Sequence, residues 1–141
     1  MFEKIIVAID GSPISYRALD VSMELALKFD SSIELVSIVN TNNIPVSVGV
    51  SYMPMVNDLE AQTKKHLKVA EQQLKNQEIE YNVICEKGDP RVFISTEVPK
   101  NTKADLIVLG KKGKHALETF FIGSVARYVS EKAEIPVLLV D

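Results

Sequence analysis

The sequence lacks the marks of several protein classes. Cysteine occurs once, as Cys85, so no disulfide can form within the chain and a reducing compartment is compatible with it. No segment approaches the roughly 18 apolar residues that a membrane-spanning helix needs. Basic residues are not in excess, because the net charge is −3, whereas nucleic-acid-binding domains are usually basic. The sequence therefore predicts neither a membrane protein nor a general nucleic-acid binder.

The start of the chain also lacks the long apolar region and the small-residue cleavage site of a signal peptide. We therefore expect a cytoplasmic protein. The 141 residues suit one domain covering 1–141, and 46% hydrophobic with 25% charged residues is ordinary for a globular fold. No internal repeat, linker or low-complexity tract divides the chain.

Apolar runs alternate with helical patterns along the whole chain. Five runs predict strands, at 4–9, 33–39, 81–86, 105–109 and 137–140. Nearly continuous apolar strands are typical of a parallel sheet buried on both faces. The alternation predicts an α/β fold, a single doubly wound five-stranded parallel sheet with helices on both faces. We expect the strand order 3-2-1-4-5, in which the first and fourth strands flank the ligand crevice.

Local signals mark where the helices begin and end. Ser12 followed by Pro13 predicts an N-cap and a first helical turn. A long amphipathic helix is predicted from Asp58, and His66 is placed on its flank or at an interface. Residues 40–57 show no clear period and are predicted to form a long loop. The helix after the turn at 88–90 is expected to be short because of Pro99.

The segment with the clearest chemistry is Gly110-Lys111-Lys112-Gly113, followed by Gly123-Ser124. It stands between a predicted strand and a predicted helix. Glycines let the backbone approach an anion closely, and a helix N-terminus offers free N–H groups. The pattern predicts a phosphate site, although no Gly-Lys-Ser/Thr ending of a P-loop and no G-x-G-x-x-G after the first strand is present.

The G-x2-G-x9-G-S spacing resembles the nucleotide-binding branch of the universal stress protein family. Four other segments are similar to that family, in the same order: Ile-Val-Ala-Ile-Asp-Gly-Ser at 6–12, Gly-Asp-Pro at 88–90, Ala-Asp-Leu-Ile-Val-Leu-Gly at 104–110 and Pro-Val-Leu-Leu-Val at 136–140. The similarity runs from about residue 2 to residue 141. Each segment alone is only weakly specific. Five segments in the same order are strong evidence for the resemblance.

The resemblance implies a ligand and a set of residues that hold it. The ligand is ATP, with Mg²⁺ or Mn²⁺ as the accompanying cation. Asp10 is expected to hold the ribose or assist a metal, and the backbone of Val39 to face adenine. The residues expected around the phosphates are Gly110, Gly113, Gly123, Ser124 and Val125. The family also implies a homodimer, often formed by antiparallel pairing of the last strands.

One position departs from the family pattern. The family often has a small or polar residue and then arginine between the first two glycines, whereas this chain has Lys111 and Lys112. Lysine still supplies a positive charge, but as a flexible point charge and not as a bidentate fork. We therefore include Lys112 among the predicted phosphate-binding residues.

Three functions remain open at this point. The first is an ATP-binding stress-response sensor or regulator, in which nucleotide orders residues 110–123 and 40–57 for an unknown protein partner. The second is a slow nucleotide hydrolase or transferase on the same fold, although no catalytic base is predicted. The third is a protein-interaction dimer without nucleotide.

Overall fold

The computed structural model describes residues 1–42, 44, 52–114 and 121–141. The strands are β1 (Lys4–Ala8), β2 (Ser32–Asn40), β3 (Tyr81–Gly88), β4 (Leu106–Gly110) and β5 (Val137–Val140). The helices are α1 (Pro13–Phe29), α2 (Tyr52–Asn76), α3 (Pro90–Val92), α4 (Val98–Thr102) and α5 (Ser124–Lys132), with a π-helical turn, Phe93–Glu97, between α3 and α4.

The described strands form one parallel sheet in the order β3-β2-β1-β4-β5, so the predicted order is confirmed. The centre of the sheet is β1, where Ile6 aligns with Glu34 of β2 and Ile107 of β4. Parallel strands bring their carboxyl ends to one edge, and ligands of open α/β sheets bind outside that edge.

Helices cover both faces of the sheet and divide the core in two. On one face, Leu19 of α1 and Leu74 of α2 belong to the same buried cluster as Ile5. On the other face, Val129 of α5 lies in a second cluster with Ile6. Burial on both faces explains why β1 and β4 are almost entirely apolar. Within the described ranges, no helix combines the length and the apolar character needed to cross a bilayer.

The first helix begins where the sequence predicts. Ser12 is its N-cap, with Oγ accepting a hydrogen bond from the N–H of Ser15 at 3.2 Å, and Pro13 follows in the first turn. Asp30 closes the helix in the left-handed conformation (φ 56°) and donates its N–H to the carbonyl of Ala26. The last helix, α5, also begins at Gly123-Ser124, where the sequence places a helix.

The prediction of a loop over 40–57 is wrong in its last part. The long helix α2 begins at Tyr52, ahead of the predicted start at Asp58. Pro54 lies in its first turn, where the missing N–H removes no helical hydrogen bond. Val56 is buried and anchors this turn. Residues 43 and 45–51 of the predicted loop lie outside the described residues.

The helix after β3 is longer than predicted. Helical structure continues from Pro90 through Pro99 to Thr102. The N–H of Val98 donates to the carbonyl of Phe93, five residues back, so the turn before Pro99 is wider than an α-helical turn. This wider turn makes room for a proline ring that would clash in a regular α-helix.

Candidate functional site

A cavity of about 670 Å³ opens at the carboxyl edge of the sheet. It extends over the ends of three adjacent strands, because Ile38 of β2, Asp10 after β1 and Gly110 of β4 all line it. One wall is formed by α2, and the opposite wall by the glycine segments around the start of α5. The volume falls within the range of about 300–1,000 Å³ that is typical of small-molecule sites.

Seven of the eight residues predicted at the site line this cavity: Asp10, Gly110, Lys112, Gly113, Gly123, Ser124 and Val125. The exception is Val39, which is 1% exposed and does not appear in the cavity wall that the described residues form. Its neighbours Ile38 and Asn40 line the cavity instead. Side chains alternate along a strand, so these two share a face from which the side chain of Val39 points away.

The glycine segments lie against each other in what we call the glycine wall, formed by 110–113 and 123–125. The N–H of Gly123 donates to the carbonyl of Lys111 at 2.8 Å. A Cβ atom on Gly123 would lie 3.3 Å from the backbone nitrogen of Gly113, and one on Gly113 would lie 2.9 Å from Oδ2 of Asp10. Glycine therefore lets three chain segments approach one another at the cavity surface.

The last helix begins in the glycine wall. Its N-cap is Gly123, which has no side chain to accept hydrogen bonds from the first N–H groups of α5. Ser124 and Val125, in the first turn, line the cavity. The free N–H groups and the positive end of the helix dipole favour a bound anion at this position.

Asp10 connects the end of β1 to the glycine wall. Its Oδ1 accepts hydrogen bonds from the N–H and the hydroxyl of Ser12, at 2.9 and 2.5 Å, and its Oδ2 accepts from the N–H of Lys114 at 2.8 Å. Burial alone would raise the pKa of this carboxyl, but these hydrogen bonds outweigh it, so the pKa is lowered from its ordinary value of 3.8. Asp10 is therefore a carboxylate at neutral pH.

The opposite wall contains residues that the sequence does not predict at the site. Thr63 and His66, about one helical turn apart on α2, line the cavity. The imidazole of His66 lies on Gly11, where a Cβ atom would be 2.3 Å from the ring and where φ is +84°. The sequence places His66 only on a helix flank or at an interface. The helical spacing of Leu59, Thr63 and His66 is the signal that could have grouped them.

The described residues offer little to a metal ion by themselves. They contain no group of three or more His, Cys, Asp or Glu side chains that could hold one. Two carboxylates line the cavity, Asp10 and Asp58, and Asp58 also accepts a hydrogen bond, from Nε2 of Gln62 at 3.0 Å. Mg²⁺ or Mn²⁺ would fit only with phosphate oxygens and water completing its shell, which is how Mg²⁺ is commonly held beside nucleotides.

Comparison with known families decides what kind of protein this is. The model of the Universal stress protein family matches residues 1–141. The chain belongs to the universal stress protein family. Among curated relatives, Universal stress protein YxiE of Bacillus subtilis is 29% identical over 151 residues, which cover 99% of each chain. The resemblance seen in the sequence motifs is confirmed.

Solved structures show the same fold. Universal stress protein UspA from Lactobacillus plantarum has a TM-score of 0.90 at 18% identity, over 99% of this chain and 98% of that one. A universal stress protein solved in complex with cAMP has a TM-score of 0.73 at 20% identity, over 99% and 97% of the two chains. The protein from Archaeoglobus fulgidus solved with dAMP has a TM-score of 0.70 at 23% identity, over both whole chains.

Proposed function

We propose that this universal stress protein binds an adenine nucleotide, ATP in particular, in the cavity at the sheet edge. The observation that carries the proposal is the start of α5, which opens into that cavity without a side-chain cap, beside Gly113. The relatives solved with cAMP and with dAMP support an adenine nucleotide as the class of ligand.

The phosphates would lie on the glycine wall. Their oxygens would accept hydrogen bonds from backbone N–H groups of the two glycine segments and from the hydroxyl of Ser124, because a helix N-terminus favours negative charge. Lys112, which also lines the cavity, would add a positive charge. The residues assigned to the phosphates are Gly110, Lys112, Gly113, Gly123, Ser124 and Val125.

The sugar and the base would extend from that wall across the end of β1 to the end of β2. Asp10 stands in the middle, since β1 lies between β2 and β4, and is proposed to hold the ribose. The lining at the end of β2 includes the apolar Ile38 and the amide of Asn40, which suits an aromatic base with polar edges. The backbone of Val39 is proposed to border the adenine.

We expect any hydrolysis of ATP to be slow. A general base must be free to accept a proton from the attacking water. Of the two carboxylates that line the described part of the cavity, Asp10 accepts three hydrogen bonds and Asp58 accepts one. The imidazole of His66 also lines the cavity, but it lies on Gly11 after β1, where the sugar and not the phosphates would be. Bound Mg²⁺ or Mn²⁺ would supply charge neutralisation on the phosphates. The protein is therefore proposed as a sensor or regulator. A cytoplasmic location, with which the single cysteine is compatible, is proposed with it.

In this proposal the nucleotide acts by holding the glycine segments and the chain after β2 in one arrangement. A partner protein would recognise that arrangement, because a ligand shifts a conformational equilibrium only through different contacts in the two states. The two segments that the nucleotide is proposed to order are 110–123 and 40–57, of which residues 115–120, 43 and 45–51 lie outside the described residues. The proposed homodimer would pair the β5 strands, since β5 is at an edge of the sheet.

The test begins with the small molecules that the purified protein carries. Mass spectrometry of the denatured protein is expected to show an adenine nucleotide, and ATP added to stripped protein is expected to raise its melting temperature. ATP at about 100 times its Kd should add roughly 2.7 kcal/mol to the free energy of unfolding. Protein that carries no nucleotide and shows no thermal shift with excess ATP would instead favour the nucleotide-free interaction dimer.

A further inference from the structure

The imidazole of His66 is a polar group in the cavity with no established partner. Within the described ranges, the one hydrogen bond outside the helix ladder of α2 that involves His66 is to its backbone carbonyl, which accepts from the hydroxyl of Tyr16 at 3.5 Å. Its ring nitrogens take no part in the hydrogen bonds found there. Polar groups in partly buried sites normally have a partner, either in the protein, in water or in a ligand.

The ring lies over the middle strand of the site. Gly11, on which it rests, follows Asp10 at the end of β1, and β1 stands between β2 and β4. On the other side, Asp10 contacts the glycine wall through Gly113 and the N–H of Lys114. A nucleotide with its phosphates on that wall and its base over β2 would therefore present its sugar to His66.

We propose that His66 is a specificity-determining residue, whose ring nitrogens exchange hydrogen bonds with a ribose hydroxyl of the bound nucleotide. The inference rests on the proposed function, because it takes the phosphate and base positions from it. It extends the site to α2, so that the sugar is recognised from two directions, by Asp10 from the sheet and by His66 from the helix.

The charge state of the ring suits a hydroxyl better than a phosphate. Burial lowers the pKa of His66 below its ordinary value of 6.5, the positive charges of Lys114 and Lys65 lower it further, and Asp10 opposes them. The imidazole is therefore neutral at pH 7, with one donor and one acceptor nitrogen. A ribose hydroxyl is also both donor and acceptor, so the two groups match.

The test compares ATP with 2′,3′-dideoxy-ATP, which lacks the ribose hydroxyls, by calorimetry on stripped protein. His66→Phe keeps a ring on Gly11 but loses both nitrogens, and is expected to weaken ATP binding about three- to tenfold, the contribution of one or two neutral hydrogen bonds. The affinity of His66→Phe for the dideoxy nucleotide should stay within twofold of the affinity of the unaltered protein for the same nucleotide. His66→Gln, which keeps a donor and an acceptor, should retain most of the ATP affinity.

The control is Lys68→Gln, an exposed residue two positions further along α2 that does not line the cavity; it should change neither nucleotide's affinity beyond twofold at 150 mM salt. Equal weakening of ATP and dideoxy-ATP by His66→Phe, or no weakening, would overturn the role of His66 while leaving nucleotide binding intact. Failure of the unaltered protein to bind ATP would overturn the proposed function together with this inference.

Discussion

The two walls of the cavity are built in different ways. The glycine wall comes from one strand–loop–helix unit, in which Gly113 and Gly123 meet through backbone contacts. The α2 wall places His66 on Gly11, two residues that belong to different helix–strand units. Close backbone approach demands glycine and so leaves a motif of spaced glycines in the sequence. The docking of α2 also demands glycine, at Gly11, but nothing in the sequence indicates which side chain of α2 lies on it.

Of the changes that test the difference between the two walls, Gly113→Val in the glycine wall is expected to have the largest effect, and it acts on ATP affinity. Even the Cβ atom would lie 2.9 Å from Oδ2 of Asp10, and the branched side chain would fill the space proposed for the phosphates. We expect ATP affinity, measured by calorimetry, to fall about 100-fold, because charge-assisted hydrogen bonds contribute about 1.5–3 kcal/mol each.

A matched control for that variant is Ser130→Ala, which lies on α5 away from the cavity. The hydroxyl of Ser130 donates only to the carbonyl of Ala126 within the helix. ATP affinity should be unchanged in this control. If Gly113→Val also bound ATP normally, the phosphates would have to lie elsewhere than on the glycine wall.

The corresponding change at the other wall is Gly11→Ala. Its Cβ atom would lie 2.3 Å from the ring of His66, and alanine at φ +84° is strained. Backbone strain of this kind costs about 1–3 kcal/mol, so urea unfolding should show a loss of this size. The same Gly11→Ala change should lower the free energy of unfolding by less when it is made in a His66→Ala protein and compared with that protein. The overlap with the ring is then absent, and only the backbone strain remains. An identical loss with and without the ring would contradict the packing of His66 on the turn.

A smaller effect separates two adjacent lysines of the glycine wall. Lys112 lines the cavity, whereas Nζ of Lys111 lies 3.3 Å from Oδ1 of Asp141. Lys112→Ala should weaken ATP binding about two- to fivefold at low salt, the range of a solvated ion pair, and Lys111→Ala less. Salt should diminish the difference because it screens exposed charges. Equal weakening at low and high salt would indicate a structural role for Lys112.

The smallest effect is the pH dependence carried by Asp10. Its pKa is lower in the folded protein than its ordinary value, so its hydrogen bonds contribute stability above about pH 4, which is lost as the pH falls through the folded pKa. Asp10→Asn should therefore be less stable than the unaltered protein at pH 6, and the difference should shrink below pH 4. Urea unfolding over pH 3–7 measures it, and a constant difference would contradict the assignment.

The parts of the structure that could be predicted are those with a local cause. Ser12 and Pro13 predict the start of α1, and apolar runs predict the strands, because capping and burial act within a few residues. The start of α2 and the continuation of helical structure past Pro99 could not be predicted by the same reasoning. Pro99 is accommodated by a π-helical turn, and Val56 is held by burial against the rest of the fold.

The sequence by itself determined the five strands, the glycine pattern of the glycine wall and the position of Asp10 after the first strand, since each depends on apolar periodicity or on backbone demands that only certain residues meet. Only the tertiary structure decided the pairing order of the strands, that Ile38 and Asn40 line the cavity while Val39 is buried, and that His66 lies over the end of β1. The physical reason is that strand facing and helix docking are set by packing between distant segments, which no local pattern records.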